Sequence, residues 1–240
     1  MGIESIISRV CHCCDQPYED YLEGLYCNNC DTFYLPEYDE SIYNKDYCDL
    51  YVERGESDLN DPLQKIRWDI VEKYEVDGNV VLDIGCGAGA FLKAAPITPK
   101  EWSVFGHDIN KDCVAHCLEN GIVCLDKLPI RLLKSISVIT MFDVLEHFKN
   151  LNKTLTAVKG MLVEGGLFVV SLPNYKKEYK ETLTEWRHYR PGEHIFYLSI
   201  DSMKALAEKS GFELLEHNFL ESKIRNPPED NIATYVMRLK

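Results

Sequence analysis

Three sets of residues have types and spacings that could do chemistry. The first is Gly85-Cys-Gly-Ala-Gly89, which follows the apolar run Val80-Val-Leu-Asp-Ile84 and leads into Ala90-Phe-Leu-Lys93. Alternating glycines permit a tight turn and let backbone N–H groups approach a ligand closely. With Ala90 the loop also satisfies the loose dinucleotide pattern Gly-x-Gly-x-x-Gly/Ala, so the loop alone leaves a nicotinamide cofactor open. Asp108 follows the next apolar run, where a carboxylate can accept hydrogen bonds from both ribose hydroxyls of a nucleoside. The second set is Phe142-Asp-Val-Leu-Glu-His147, which places three polar groups after the run Ser137–Met141.

The third set is Cys11-His-Cys-Cys14 and Cys27-Asn-Asn-Cys30, two Cys-x-x-Cys pairs separated by twelve residues. Each pair can turn two sulfurs to one point, and together Cys11, Cys14, Cys27 and Cys30 offer the four-thiolate shell of a structural zinc. His12 and Cys13 are alternative ligands, and an iron–sulfur cluster is the other chemical option. The segment holds too few apolar residues for a core of its own, so a metal would supply folding free energy. The other five cysteines, Cys48, Cys86, Cys113, Cys117 and Cys124, read as small buried hydrophobes.

Positioning these residues requires alternating elements. Helical spacing covers 62–74, 110–120, 154–162 and 200–210; short apolar strands cover 80–84, 103–107, 122–125, 137–141 and 167–172. Gly165-Gly166 should turn the chain before the fifth of these strands. Two further strands, 212–219 and 233–239, flank a polar turn at 226–230. An open α/β sheet binds ligands at the carboxyl ends of its strands, which is where Gly85, Asp108 and Asp143 fall. The tyrosine-rich stretch from Phe33 to Tyr47 reads as a connector packed on the next domain.

The 240 residues suit one large α/β domain plus a small appendage, with the boundary at 60/61. Acidity is concentrated in the appendage: residues 1–60 carry a net charge of −11, and residues 61–240 only −2. That front argues against a nucleic-acid grip, because phosphate neutralisation needs clustered Lys and Arg. The one basic concentration is Lys176, Lys177, Lys180, Arg187 and Arg190, interleaved with aromatics. No apolar run reaches the length of a membrane span, and no signal or myristoylation pattern is present, so a cytoplasmic protein is expected.

The run Val81-Leu-Asp-Ile-Gly-Cys-Gly-Ala-Gly89, Asp108, the 142–147 segment and His194-Ile-Phe-Tyr-Leu-Ser199 with Ser210-Gly-Phe212 resemble a class I S-adenosylmethionine-dependent methyltransferase. The similarity is to the broad group that includes ubiquinone-biosynthesis methyltransferases, some with an N-terminal zinc ribbon like Cys27–Tyr47. It implies a Rossmann-like seven-stranded sheet ending in an antiparallel hairpin, behind a small zinc ribbon. Asp83, Gly85, Gly87 and Gly89 would line the methionine and ribose side, and Asp108 would hold the ribose. Asp126 would approach the adenine amino group, with Cys86, Ile109, Phe142 and Asp143 completing the cofactor site. If the acceptor is a hydroxyl, a neutral histidine is the natural base. His147 is then the first candidate, followed by His188 and His194.

The function expected is methyl transfer to a small molecule, such as a sugar or a phosphorylated metabolite bound by the 175–190 patch. An RNA methyltransferase aided by the zinc module, a nicotinamide-dependent oxidoreductase and a non-catalytic binding protein are the alternatives. Oligomeric state leaves no sequence signal.

Overall fold

A computed structural model describes residues 9–55, 61–98, 100–128, 134–225 and 230–240. The turn expected at 226–230 lies outside the described residues except for Asp230. The strands are β1 (Glu19–Tyr21), β2 (Gly24–Cys27), β3 (Thr32–Tyr34), β4 (Val80–Ile84), β5 (Ser103–His107), β6 (Cys124–Leu125), β7 (Ile136–Phe142), β8 (Leu162–Pro173), β9 (Phe196–Tyr197), β10 (Phe212–Asn218) and β11 (Ile232–Leu239). The helices are α1 (Lys45–Gly55), α2 (Pro62–Glu72), α3 (Ala90–Lys93), α4 (Lys111–Glu119), α5 (Leu151–Met161), α6 (Ile200–Ser210) and α7 (Ser222–Arg225).

Seven strands form one sheet in the order β10-β11-β8-β7-β4-β5-β6. The ladders among β8, β7, β4, β5 and β6 are parallel, and β11 runs antiparallel between β8 and β10. The expected α/β sheet with a terminal antiparallel hairpin is therefore present. Successive side chains of a strand face opposite ways. Leu82, Ile84, Ile139, Met141, Phe168 and Val170 accordingly enter the core shared with α5 and α6, whereas Val81, Val138 and Val169 face Trp68 and Phe91. Burial on both faces explains why these strands read as continuous apolar runs.

Local chemistry sets the helix ends. Asp61 caps α2 ahead of Pro62, Asn110 caps α4 through the amides of Asp112 and Cys113, and α6 stops at Gly211 with φ +82°. The turn expected at Gly165-Gly166 is not a break: β8 begins at Leu162 and carries both glycines within it. Its register against β7 shifts there, and Gly165, at φ +70°, supplies the backbone freedom for the bulge.

A second sheet, β1-β2-β3-β9, is antiparallel throughout and crosses the chain: Phe33 and Tyr34 of β3 pair with Tyr197 and Phe196 of β9. Tyr26, Phe33, Leu35, Tyr175, Leu183 and Tyr197 form the aromatic core between this ribbon and the insert after β8. The tyrosine-rich connector runs into α1, which sequence periodicity did not suggest. Among the described residues no helix is long and apolar enough to cross a membrane.

Candidate active site

The chain leaves β4 through Gly85 at φ +74°, where an added Cβ would lie 2.3 Å from Cγ2 of Val144. Gly85 and Cys86 donate their N–H groups to the carbonyl oxygen of His107 at 2.7 and 3.1 Å, tying the loop to the end of β5. The Gly87 N–H donates to Asp108 Oδ2 at 2.9 Å, and the Asn110 N–H donates to Oδ1 at 2.8 Å. Asp108 is thus fixed beside the loop by two backbone groups, each oxygen keeping lone-pair capacity for a ligand.

Two adjoining cavities open at this edge. One, of about 460 Å³, has Asp108, Ile109, Leu128, Val144 and Phe148 in its wall, with Tyr43, Tyr47 and Tyr51 lining it as well. The other, of about 570 Å³, is lined by Asp83, Cys86 and Arg67 and by Arg187, His188, Arg190 and Arg225. Tyr51, Gly85, Gly87, Phe142 and Asp143 line both, so the glycine loop stands at their junction. The arrangement suits a ligand with a nucleoside end and a polar end lying across the loop.

Asp143 adopts φ +57° and donates its N–H to the Ser171 carbonyl at 2.8 Å. Burial alone would raise its carboxyl, but Arg225 at 2.7 Å and Arg67 at 3.9 Å outweigh that and hold it below the ordinary range. Arg67 also donates from Nε and Nη2 to both carboxylate oxygens of Glu221 and lies 4.0 Å over the Phe142 ring. Asp83, fully enclosed, accepts the Thr140 hydroxyl at 2.6 Å; burial raises its carboxyl to about 7.

All three candidate histidines gather on the Asp143 side, and burial lowers each of them, His188 to about 4 and His194 to about 2. His188 lines the second cavity, with Nε2 3.0 Å from Asn231 Oδ1. The amide oxygen only accepts, so Nε2 carries the proton and Nδ1 the lone pair. His147 lines the first cavity, with Nδ1 2.9 Å from both Tyr43 Oη and the Glu193 carbonyl oxygen. His194 lines neither cavity and packs edge-on against His147 with ring centroids 4.8 Å apart.

Two expected cofactor residues do not line either cavity. Leu128 rather than Asp126 lines the cavity. Gly89 is the residue before α3 and is absent from both cavity linings; an added Cβ there would meet Ile122 Cδ1 at 2.6 Å. The basic patch also divides. Lys176 pairs with Asp230, Lys177 with Asp31, and Lys180 lies over the Tyr26 ring, so only Arg187 and Arg190 reach the cavity. Sequence reasoning missed Arg67, Arg225, Glu221, Asn231 and the α1 tyrosines. Arg67 left one signal, a cation on the buried face of α2 beside Trp68 and Val71.

In the N-terminal ribbon the four sulfurs of Cys11, Cys14, Cys27 and Cys30 lie within 4.8 Å of one another. Cys11 and Cys30 are 3.6 Å apart, and Cys14 and Cys27 3.5 Å. A tetrahedral ion with sulfur bonds of about 2.3 Å separates its ligands by about 3.8 Å, so the donor set fits such an ion and is too open for disulfides. The Cys13 N–H donates to Cys11 Sγ at 3.4 Å, whereas the His12 ring packs against Tyr34 and Phe196. Neither side chain belongs to the group of four.

Comparison with known proteins agrees with this architecture. The family described as a methyltransferase domain matches residues 51–217. A ubiquinone biosynthesis O-methyltransferase of Pseudomonas putida is 29% identical over 127 residues, covering 49% of this chain and 53% of that protein. The chain thus spans about half the length of the curated relatives it matches. A methyltransferase structure from Archaeoglobus fulgidus superposes with a TM-score of 0.59 at 19% identity, over 80% of this chain and 99% of that one. Magnesium protoporphyrin IX methyltransferase from Synechocystis, solved with S-adenosylhomocysteine, gives 0.52 at 14% identity, over 75% and 82%. A match over well more than half of the sequence, on a sheet of this order with a glycine loop at its cleft, means that the chain belongs to the methyltransferase domain family.

Proposed function

We propose that the chain is an S-adenosylmethionine-dependent methyltransferase that methylates an oxygen of a small molecule. The observation that carries this is Asp108, held beside the glycine loop by two backbone N–H groups with its carboxylate in the cleft wall. In this reading Asp108 accepts the ribose hydroxyls, Ile109 and Leu128 enclose the adenine, and Asp83 and Asp143 flank the cationic end. The bound cofactor supplies a sulfonium methyl group that an aligned nucleophile can displace in line. An acceptor oxygen in the second cavity would form the new O–CH3 bond as the S–CH3 bond breaks, and His188, which lines that cavity and keeps a lone pair on Nδ1, is assigned as the base that takes its proton. Oxygen as the target is supported by the relatives named for O-methylation.

Arg187 and Arg190 favour an acceptor with an anionic group, phosphate included, because both line the second cavity. A polyanionic RNA is disfavoured: three lysines of the expected patch are engaged by Asp230, Asp31 and Tyr26. We assign a structural zinc to the four cysteines of the first sixty residues, leaving residues 61–240 as the catalytic domain. Ten cysteines with no disulfide among them suit a reducing cytoplasm. Calorimetry with S-adenosylhomocysteine and with NAD tests the proposal. Binding of the former alone is expected; binding of NAD alone would overturn it.

A further inference from the structure

We propose that Cys86, Cys117 and Cys124 form a binding site for one monovalent copper ion behind the glycine loop. The three thiols come from the loop itself, from α4 and from β6, and their sulfurs lie within 4.8 Å of one another. Cys86 Sγ and Cys124 Sγ are 3.5 Å apart, too far for a disulfide and close enough to share an ion. Along the chain these cysteines look like separate buried hydrophobes, yet the fold brings three of the five outside the ribbon to one point.

The space they fill depends on neighbours that lack side chains. A Cβ on Gly106 of β5 would lie 2.7 Å from Cys86 Sγ and 3.2 Å from Cys124 Sγ, and one on Gly89 would lie 3.0 Å from Cys117 Sγ. Gly106 lies outside the left-handed region, so close approach of these sulfurs and of Leu92, rather than backbone geometry, calls for glycine there. Leu92 and Ile122 belong to the same apolar cluster as Cys117 and Cys124, which would shield an ion from water. Cys86 is half-buried and lines the second cavity, giving the ion a way in to the two buried thiols.

Thiolates favour copper(I) and zinc, and zinc in a closed site takes four ligands, the number that the ribbon offers. Among the described residues no fourth Cys, His, Asp or Glu joins the group of three, which suits copper(I), a closed-shell ion content with three sulfurs. With metal–sulfur bonds of about 2.3 Å, a trigonal plane separates its sulfurs by about 4.0 Å. That spacing lies between the 3.5 Å already present and the 4.8 Å that bounds the group. Binding takes the thiolate form, so the ion would replace protons such as the one Cys117 directs to the Gly87 carbonyl oxygen at 3.4 Å. Because Cys86 stands between Gly85 and Gly87, the bound ion would cross-link the loop to α4 and β6. None of this rests on the methyl-transfer reading.

The test is anaerobic titration of the reduced, zinc-loaded full chain with Cu+ held by bicinchoninate. Loss of the colour of that complex reads copper transfer, and zinc in the filtrate reads attack on the ribbon. One Cu+ per chain is expected with zinc retained. Affinity should be at least about tenfold weaker in Cys117→Ala and in Cys124→Ala, since losing one of three ligands costs no less than losing a group that merely orients a ligand. Cys48→Ala, which removes a buried thiol outside the group, should match the unsubstituted chain. Failure to take up one Cu+, uptake matched by zinc release, or unchanged affinity in a folded Cys117→Ala or Cys124→Ala chain overturns the proposal. If neither variant folds, copper X-ray absorption of the unsubstituted complex decides: three sulfurs at about 2.3 Å support the site, and two sulfurs or any nitrogen or oxygen ligand overturns it.

Discussion

Replacement of Asp108 by alanine tests the cofactor assignment most directly. The carboxylate holds two backbone N–H groups, at 2.9 and 2.8 Å, and each oxygen retains room for one ligand hydroxyl. A hydrogen bond to a charged acceptor contributes about 1.5–3 kcal/mol net, so loss of two ribose contacts costs at least about 3 kcal/mol, or roughly 100-fold in affinity. The same change frees the Gly87 and Asn110 amides, which water in the cleft can partly satisfy. A stability loss of about 1 kcal/mol follows, lowering the melting temperature by about 2–4 °C for a chain of this size. Asp108→Asn keeps one acceptor oxygen and should fall between the two. Calorimetry with S-adenosylhomocysteine, alongside thermal unfolding, reads both quantities. A folded Asp108→Ala protein that binds within about twofold of the unsubstituted chain would refute the reasoning.

Other expectations concern protons and the ribbon. His188 is lowered to about 4 by burial, so the acid limb of the kcat/KM profile should fall near pH 4; a limb near 6.5 would exclude it as the group that titrates. Asp83, raised to about 7 by burial, keeps its proton in the folded chain above the unfolded value of 3.8. Its stabilising contribution is full below 3.8 and lost as pH rises through about 7, so unfolding measured from pH 4 to 8 should show the unsubstituted chain losing ground to Asp83→Asn. Equal pH dependence of the two would contradict the shift. Metal analysis of purified protein should give one zinc per chain, and Cys14→Ser should lose most of it and melt earlier.

Features set by neighbouring residues were the legible ones. The Gly85 turn, the helix that starts beside Asn110 and the paired Cys-x-x-Cys knuckles each arise from a few consecutive side chains, and their positions followed from local rules. The polar network did not. Arg67 meets Glu221 across 154 positions, and the Arg225 contact with Asp143 joins α7 to the end of β7. No periodicity announces such pairs, because they depend on how the hairpin packs against α2. The lysines of the 175–190 segment were misread for a related reason: their partners Asp31 and Tyr26 lie in the ribbon. Asp126 was placed by analogy, and the chain after β6 instead turns Leu128 to the cavity.

The pairing of β3 with β9 bears on the order of events during synthesis. Phe33 cannot reach Tyr197 until more than 160 further residues have been made. At about 5–20 residues per second, the ribbon therefore spends roughly 8–33 s outside the ribosome with its last strand missing. Its thiols and the open edge of β3 are exposed throughout that interval. Early metal capture would hold the knuckles together while the edge waits, and a delay in capture would leave an unpaired strand open to the wrong neighbour.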